Sequence, residues 1–233
     1  MKKTLLLLSV FAAFSCSSSD DSNPEKENPN QTSLKGKLKS INLIEYGKSE
    51  YTYGSNGYVS KVVFKEDNGI EYSTVYNYEG NKLTSINYLE NGVVKHGTNF
   101  VYSGDLITKS TGNEQGQVDQ RVYTYDSYNN LAKEEYYLDG KLSQTVTFTH
   151  VNGNVIRRLA NSIGGVYNTS YEYDNKNTPH STAFTTAYLK INYEGKNNVI
   201  KENNDTYQYE YNSNNFPTKK YEKGNVSEFE YIN

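Results

Sequence analysis

The stretch Tyr76–Gly92, YNYEGNKLTSINYLENG, carries the pattern that most of the chain repeats. It holds two alternating runs, Tyr76–Tyr78 and Ile86–Tyr88. A polar turn, Glu79-Gly80-Asn81-Lys82, separates them, and a second turn, Glu90-Asn91-Gly92, closes the unit. Residues two apart on an extended chain share a face, so Tyr76 and Tyr78 present both rings to one side. Asn, Asp and Gly tolerate the positive φ that tight hairpin turns need. One unit therefore reads as two short antiparallel strands and two turns.

Copies fill the chain after residue 45. Aromatic pairs recur at Tyr51/Tyr53, Phe100/Tyr102, Tyr123/Tyr125, Tyr171/Tyr173, Tyr209/Tyr211 and Phe229/Tyr231, with degenerate copies at Phe148/His150 and Ile191/Tyr193. Their first members lie 25, 24, 23, 25, 23, 20, 18 and 20 residues apart, too even for random placement. Each return strand opens on an apolar residue: Val59, Leu83, Leu106, Leu131, Val155, Val199, Phe216. A first strand signal covers Leu38–Tyr46, just before Gly47. The strands should hold roughly six to eight residues, about 20–27 Å each. Turn residues interrupt every window of about ten, and no apolar stripe of helical period stands out, so no helix is predicted after the leader. Eight or nine units imply roughly 16–18 strands, and open twisted sheets seldom exceed about ten. Closure also removes exposed edges. The expected fold is all-β, an antiparallel up-and-down meander rolled into a large barrel or nearly closed sheet. The alternative is an open, curved, single-layer sheet.

Composition agrees with a thin, ring-lined core. Hydrophobic content is 35%, and Tyr supplies 24 residues against 8 Phe and no Trp. A mean hydropathy of −0.83 approaches that of disordered chains. Tyr decides against disorder, because it buries a large ring, keeps a hydroxyl for a partner and suits a half-buried pleated surface. The formal charge is −3, and only Arg121, Arg157 and Arg158 are arginines. No basic face for nucleic acid is expected. Adjacent Arg157 and Arg158 must point to opposite faces of a strand.

Residues 1–15 read as a secretory leader. Lys2 and Lys3 precede an apolar run, Thr4–Phe14, that is shorter than the roughly 20 residues of a membrane-spanning helix. Cys16 is the only cysteine, which excludes a disulfide within the chain. Residues 16–35 should be a solvated tether: Ser17–Gln31 contains no apolar residue. Loss of Lys2 and Lys3 with the leader takes the formal charge from −3 to −5. Residues 36–233 should form one repeat domain.

The sequence singles out no catalytic or metal-binding residue. His96, His150 and His180 lack metal-ligand spacing, and His150 occupies an aromatic slot of the repeat. Phosphate-loop, dinucleotide and nucleophile-elbow motifs are missing. The turn Asp126–Asn130 lacks the ligand order of a calcium loop. No cofactor is predicted, and the ligand-binding residues are left open.

Four resemblances follow. Ser15 before Cys16 resembles a lipobox, which implies that Cys16 is lipidated and becomes the first mature residue. Asp20-Asp21 resembles the acidic signals of surface-exposed outer-membrane lipoproteins. Tyr123–Leu131 (YTYDSYNNL) and Tyr171–Asp174 (YEYD) resemble the YD repeats of Rhs-type proteins, which build shells of β-hairpins, although Gly and Arg are mostly missing after the Tyr-Asp here. The layout as a whole, over about residues 36–233, is similar to uncharacterised bacterial lipoproteins with a porin-like fold. The resemblance implies an outer-membrane lipoprotein, surface-exposed or alternatively periplasm-facing. The polar residues between aromatics (Thr52, Asn77, Thr124, Glu172, Glu210, Glu230) and the charged Lys133, Glu134 and Glu135 suit a barrel wall in water. The expected role is non-catalytic binding of a glycan or envelope protein by a monomer. The alternatives are a structural envelope protein without a small ligand and a polysaccharide-acting enzyme.

Overall fold

The computed structural model describes residues 33–114 and 116–233. The expected leader, Cys16 and most of the tether lie outside the described residues.

Sixteen strands form a closed antiparallel meander. The first eight are β1 (Leu38–Leu43), β2 (Gly47–Tyr53), β3 (Val59–Glu66), β4 (Glu71–Glu79), β5 (Lys82–Glu90), β6 (Val93–Ser103), β7 (Leu106–Glu114) and β8 (Gln117–Tyr125). The second eight are β9 (Leu131–Leu138), β10 (Lys141–Val151), β11 (Asn154–Ser162), β12 (Gly165–Tyr173), β13 (Val199–Glu202), β14 (Asp205–Tyr211), β15 (Pro217–Glu222) and β16 (Asn225–Tyr231). Each strand pairs with its neighbours in sequence, and β1 pairs with β16. The barrel, not the open sheet, is the fold. Strand lengths run from four to eleven residues, a wider spread than the repeat suggests.

Closure obeys the repeat. Seven units pair an aromatic strand with the return strand that follows it, from β2–β3 to β14–β15. The eighth is split between the chain ends: β16 brings Phe229 and Tyr231, and β1 brings the return strand that opens at Leu38. In every unit the register shifts just before the second aromatic. Thr52 faces Lys61 while Tyr53 faces Val59, so Ser60 is left over as a bulge. The same step skips Thr84, Thr108, Ala132, Ile156, Ile200 and Thr218, and at the seam Lys39. Bulges bend a sheet and raise its twist, which a closing barrel needs. Ser60, Thr84 and Thr108 each donate a hydroxyl to the carbonyl of the residue between the paired aromatics.

The residue opening each return strand is the buried one. Leu38, Val59, Leu83, Leu131 and Val155 are buried as that pattern requires; in two units the next residue, Ile107 or Pro217, takes the place, and Val199, which follows the long connection, is the exception at half-buried. The second aromatic then reaches back one unit. Tyr53 donates its hydroxyl to the Leu38 carbonyl, Tyr78 to Val59, Tyr125 to Ile107, Tyr173 to Val155 and Tyr231 to Pro217, at 2.6–3.0 Å. His150 fills the slot in its unit and bonds the Leu131 carbonyl through Nε2 at 2.8 Å. A carbonyl only accepts, so Nε2 carries the proton. In the β14 unit the first aromatic, Tyr209, does this work on Val199. Tyr102 alone breaks the series. Its buried hydroxyl finds no hydrogen-bond partner among the described residues. Each such bond contributes about 0.5–1.5 kcal/mol net.

Gly47 opens β2 at φ +143°, with Lys65 O 2.2 Å from where a Cβ would sit. Only glycine brings the two strands this close there.

The largest departure from the expected fold lies between β12 and β13. Residues 174–198 do not turn back at once. They enter the barrel and carry a helix, α1 (Thr186–Ile191). The prediction of no helix is therefore corrected, and so is the reading of Ile191/Tyr193 as a degenerate strand pair. Thr185 caps α1, its hydroxyl accepting from the Tyr188 amide. A helix of six residues has little stability of its own; here it is held by what it packs against.

Candidate functional site

The insertion crosses the lumen. On one side Ala183 and Phe184 pack with Val59, Tyr51, Tyr53, Val62 and Tyr76 of β2–β4. On the other, Ala187 and Ile191 pack with Ile107, Tyr123 and Leu131 and with the rings of Phe100, Tyr125 and Phe148. The two members of each aromatic pair thus divide their work. Second members bond the neighbouring unit, and first members receive the insertion: Tyr76 meets Phe184 at 5.1 Å, Phe100 meets Tyr188 at 6.1 Å, and Phe148 meets Tyr193 at 4.7 Å.

Polar contacts fasten the insertion to the rim. The Val59 amide donates to the Ala183 carbonyl at 2.9 Å. Lys37 Nζ donates to Gly57 O and Thr182 O, and Lys190 Nζ to Asn129 O. At the neck, Asp174 accepts from the Asn198 amide and side chain and from Tyr211. Asn154 bonds the Asn197 side chain and amide, and Gly195 fits closely against it.

Two charged constellations tie the insertion to the wall. Glu134 is 1% exposed, with Arg121 at 2.9 Å and the Tyr193 hydroxyl bonded to its other oxygen. This corrects the placement of Glu134 on a charged exterior: Lys133 and Glu135 form their ion pair at 3.1 Å, and alternation turns Glu134 the other way. Burial pushes the Tyr193 phenol far above its usual range, and the Glu134 charge and hydrogen bond add to that. The second constellation is Tyr51–His180–Glu194. His180 Nδ1 meets Glu194 Oε1 at 2.8 Å, and Nε2 meets the Tyr51 hydroxyl at 3.2 Å. Desolvation, then the charge of Glu194, holds the Tyr51 phenol in its neutral form.

Two cavities flank the insertion. One, about 390 Å³, is bounded by Ile41, Phe229, Tyr207, Lys220, His180 and Glu194. The other, about 230 Å³, is bounded by Tyr88, His96, Ser110, Asp119, Arg121 and Tyr188. Tyr88 and His96 stack at 5.4 Å. Desolvation raises the Tyr88 phenol; Arg121 lowers it and Asp119 raises it, so both charges act at the phenol. Burial likewise lifts Tyr123 to about 12, with its hydroxyl 3.1 Å from Ser110.

Of the histidines, His150 is part of the wall, while His96 and His180 border cavities. The arginine pair divides as expected. Arg157 bonds Asn168 on an exposed surface, and Arg158 lies over the Tyr193 ring at 5.7 Å with its Nε buried and unpartnered among the described residues. Among the described residues no cluster of three or more His, Cys, Asp or Glu could hold a metal ion. Sequence reasoning missed the insertion, and with it Glu134 and the Tyr51–His180–Glu194 chain. The usable signal was Ala183, Phe184, Ala187, Tyr188 and Ile191, spaced by three and four.

No protein-family model matches the chain, and no curated protein sequence does. Among solved structures the chain is similar to a porin-like protein from Bacteroides uniformis, with a TM-score of 0.61, 14% identity, and coverage of 86% of this chain and 99% of that one. It also aligns with the TcdB2-TccC3-Cdc42 crystal structure at a TM-score of 0.35 and with the Photorhabdus luminescens Tc holotoxin pore at 0.34, both at 14% identity. Those alignments cover 79% and 77% of this chain, which spans 11% of the length of each. At these identities the likeness bears on architecture: the chain has a porin-like fold, an all-β meander of sixteen strands closed into a barrel.

Proposed function

We propose that this chain is a cell-envelope lipoprotein, anchored through a lipid on Cys16, whose barrel stands in water and binds a glycan or envelope protein without catalysis. One observation carries the reading: the wall is charged outside and the lumen is filled. Ion pairs Glu172–Lys201, Lys219–Glu228 and Lys39–Glu230 lie on the outer surface, at 2.7, 3.4 and 3.5 Å. A barrel facing lipid needs an apolar outer band about 25 Å tall. The insertion argues against a conduit. Against an enzyme, Glu134 and Glu194 are each engaged, by Arg121 with Tyr193 and by His180, rather than converging on one opening. The barrel-shaped likeness in Bacteroides uniformis supports an envelope setting.

The test is a glycan array and in-cell photo-cross-linking with the full-length protein. Retention on a defined glycan, or capture of one envelope protein, is expected. Silence in both, with metabolic palmitate labelling unchanged in Cys16→Ala, would refute the reading.

A further inference from the structure

The smaller cavity has features that packing alone does not account for. Asp119 Oδ1 is buried and has no hydrogen-bond partner among the described residues. A buried carboxylate oxygen left without a donor is costly. The backbone is shaped to keep it there. On Gly112, opposite Asp119 in the β7–β8 ladder, a Cβ would sit 2.1 Å from Asp119 Oδ1 and 2.9 Å from His96 Cε1. Arg121 lies two residues on, on the same face of β8. One of its nitrogens is spent on Glu134, yet its side chain is 43% exposed and lines the cavity. Tyr88 stacks on His96 and remains 40% exposed.

A carboxylate acceptor beside a guanidinium donor, with the part-exposed Tyr88 ring in the same lining, matches the vicinal hydroxyls and the ring of a pyranose. We propose that this cavity is a sugar subsite: it takes one neutral pyranose, the ring against Tyr88, one hydroxyl donating to Asp119 Oδ2, the oxygen that is not enclosed, and its neighbour accepting from Arg121. The volume, about 230 Å³, is below the roughly 300–1,000 Å³ of sites for drug-sized ligands, which limits the occupant to about one ring. The cationic Arg121 in the same lining disfavours the competing class, a small ammonium. This deepens the binding function proposed above and rests on it.

Isothermal titration calorimetry on the full-length protein in detergent tests it, with glucose, galactose and N-acetylglucosamine as sugars and ethanolamine and lysine as amines. At least one sugar should bind, about tenfold or more weakly to Asp119→Asn. Gly112→Ala should weaken it similarly while removing no polar group. Lys201→Ala on the outer wall should leave it unchanged, and melting curves should show all three variants folded. Binding of amines alone would overturn the ligand class. Sugar binding indifferent to Asp119→Asn and Gly112→Ala would overturn the site. Silence toward every probe would overturn the subsite, and an array hit that survives Asp119→Asn would do so while leaving the broader function standing.

Discussion

The connections after Tyr78 and after Tyr173 occupy the same place in the repeat and do opposite things. After Tyr78, Glu79-Gly80-Asn81 turns the chain straight back into Lys82 and Leu83. After Tyr173, residues 174–198 intervene before Val199 reaches the equivalent site. The flanking pairs still conform: Tyr173 donates to Val155 and the bulge still precedes it. The difference separates a container from its contents. Repetition suffices to build a closed wall, because each unit needs only a pair of rings, a buried opener and a bulge. Filling the lumen requires one unit to break step, and the buried charge, the histidine chain and both cavities gather around that break.

Both regions should fail together in alkali. Burial raises the phenols of Tyr53, Tyr76, Tyr78, Tyr125, Tyr173, Tyr188, Tyr209 and Tyr231 above their usual value near 10. The unfolded chain releases those protons first. Their contribution to stability is therefore complete below about pH 10 and is lost as pH rises toward the folded values. Tyrosinate absorbance should rise in one cooperative step coincident with unfolding. Independent titration of most tyrosines in a folded barrel would contradict this.

Next in size are changes on the insertion and at the wall residue that holds it. Phe184→Ala, at a site 8% exposed, should cost about 3–5 kcal/mol in urea unfolding, whereas Tyr128→Ala, in an exposed turn of a regular unit, should stay within about 0.5. Glu134→Ala should cost about 3 kcal/mol, since it empties a buried site and leaves the Tyr193 hydroxyl unpaired. Equal, small effects at all three sites would erase the distinction between wall and insertion.

Within the wall the effects should be small and alike. Tyr78→Phe and Tyr173→Phe should each cost about 1 kcal/mol, because each strips one bond from a carbonyl of the preceding unit. Tyr102→Phe should cost less, since that hydroxyl has no such bond to lose.

The wall was legible because its signal is repeated: each unit corroborates the others, and turns rich in Asn, Asp and Gly mark where most strands end. The bulges were not legible, because a skipped residue such as Ser60 or Ala132 leaves the spacing of the aromatics unchanged. The insertion was hidden for a different reason. Ile191 and Tyr193 sit two apart at a plausible interval and imitate a strand pair, although Ala183, Ala187 and Ile191 follow a helical step. Glu134 lay among charges that look solvated, and only strand alternation with a distant Tyr193 reveals that it faces inward. Local patterns of period two carry the container; contacts between residues 59 apart carry the site.

The Val59 amide tests the account most directly, since its hydrogen bond goes to Ala183 of the insertion. Hydrogen exchange followed by NMR should find it protected as strongly as its β3 neighbours in the intact protein. Replacing residues 175–197 by a four-residue turn should expose it while β3 stays protected. Rapid exchange of Val59 in the intact protein, with the rest of β3 protected, would place the insertion outside the lumen and contradict the account.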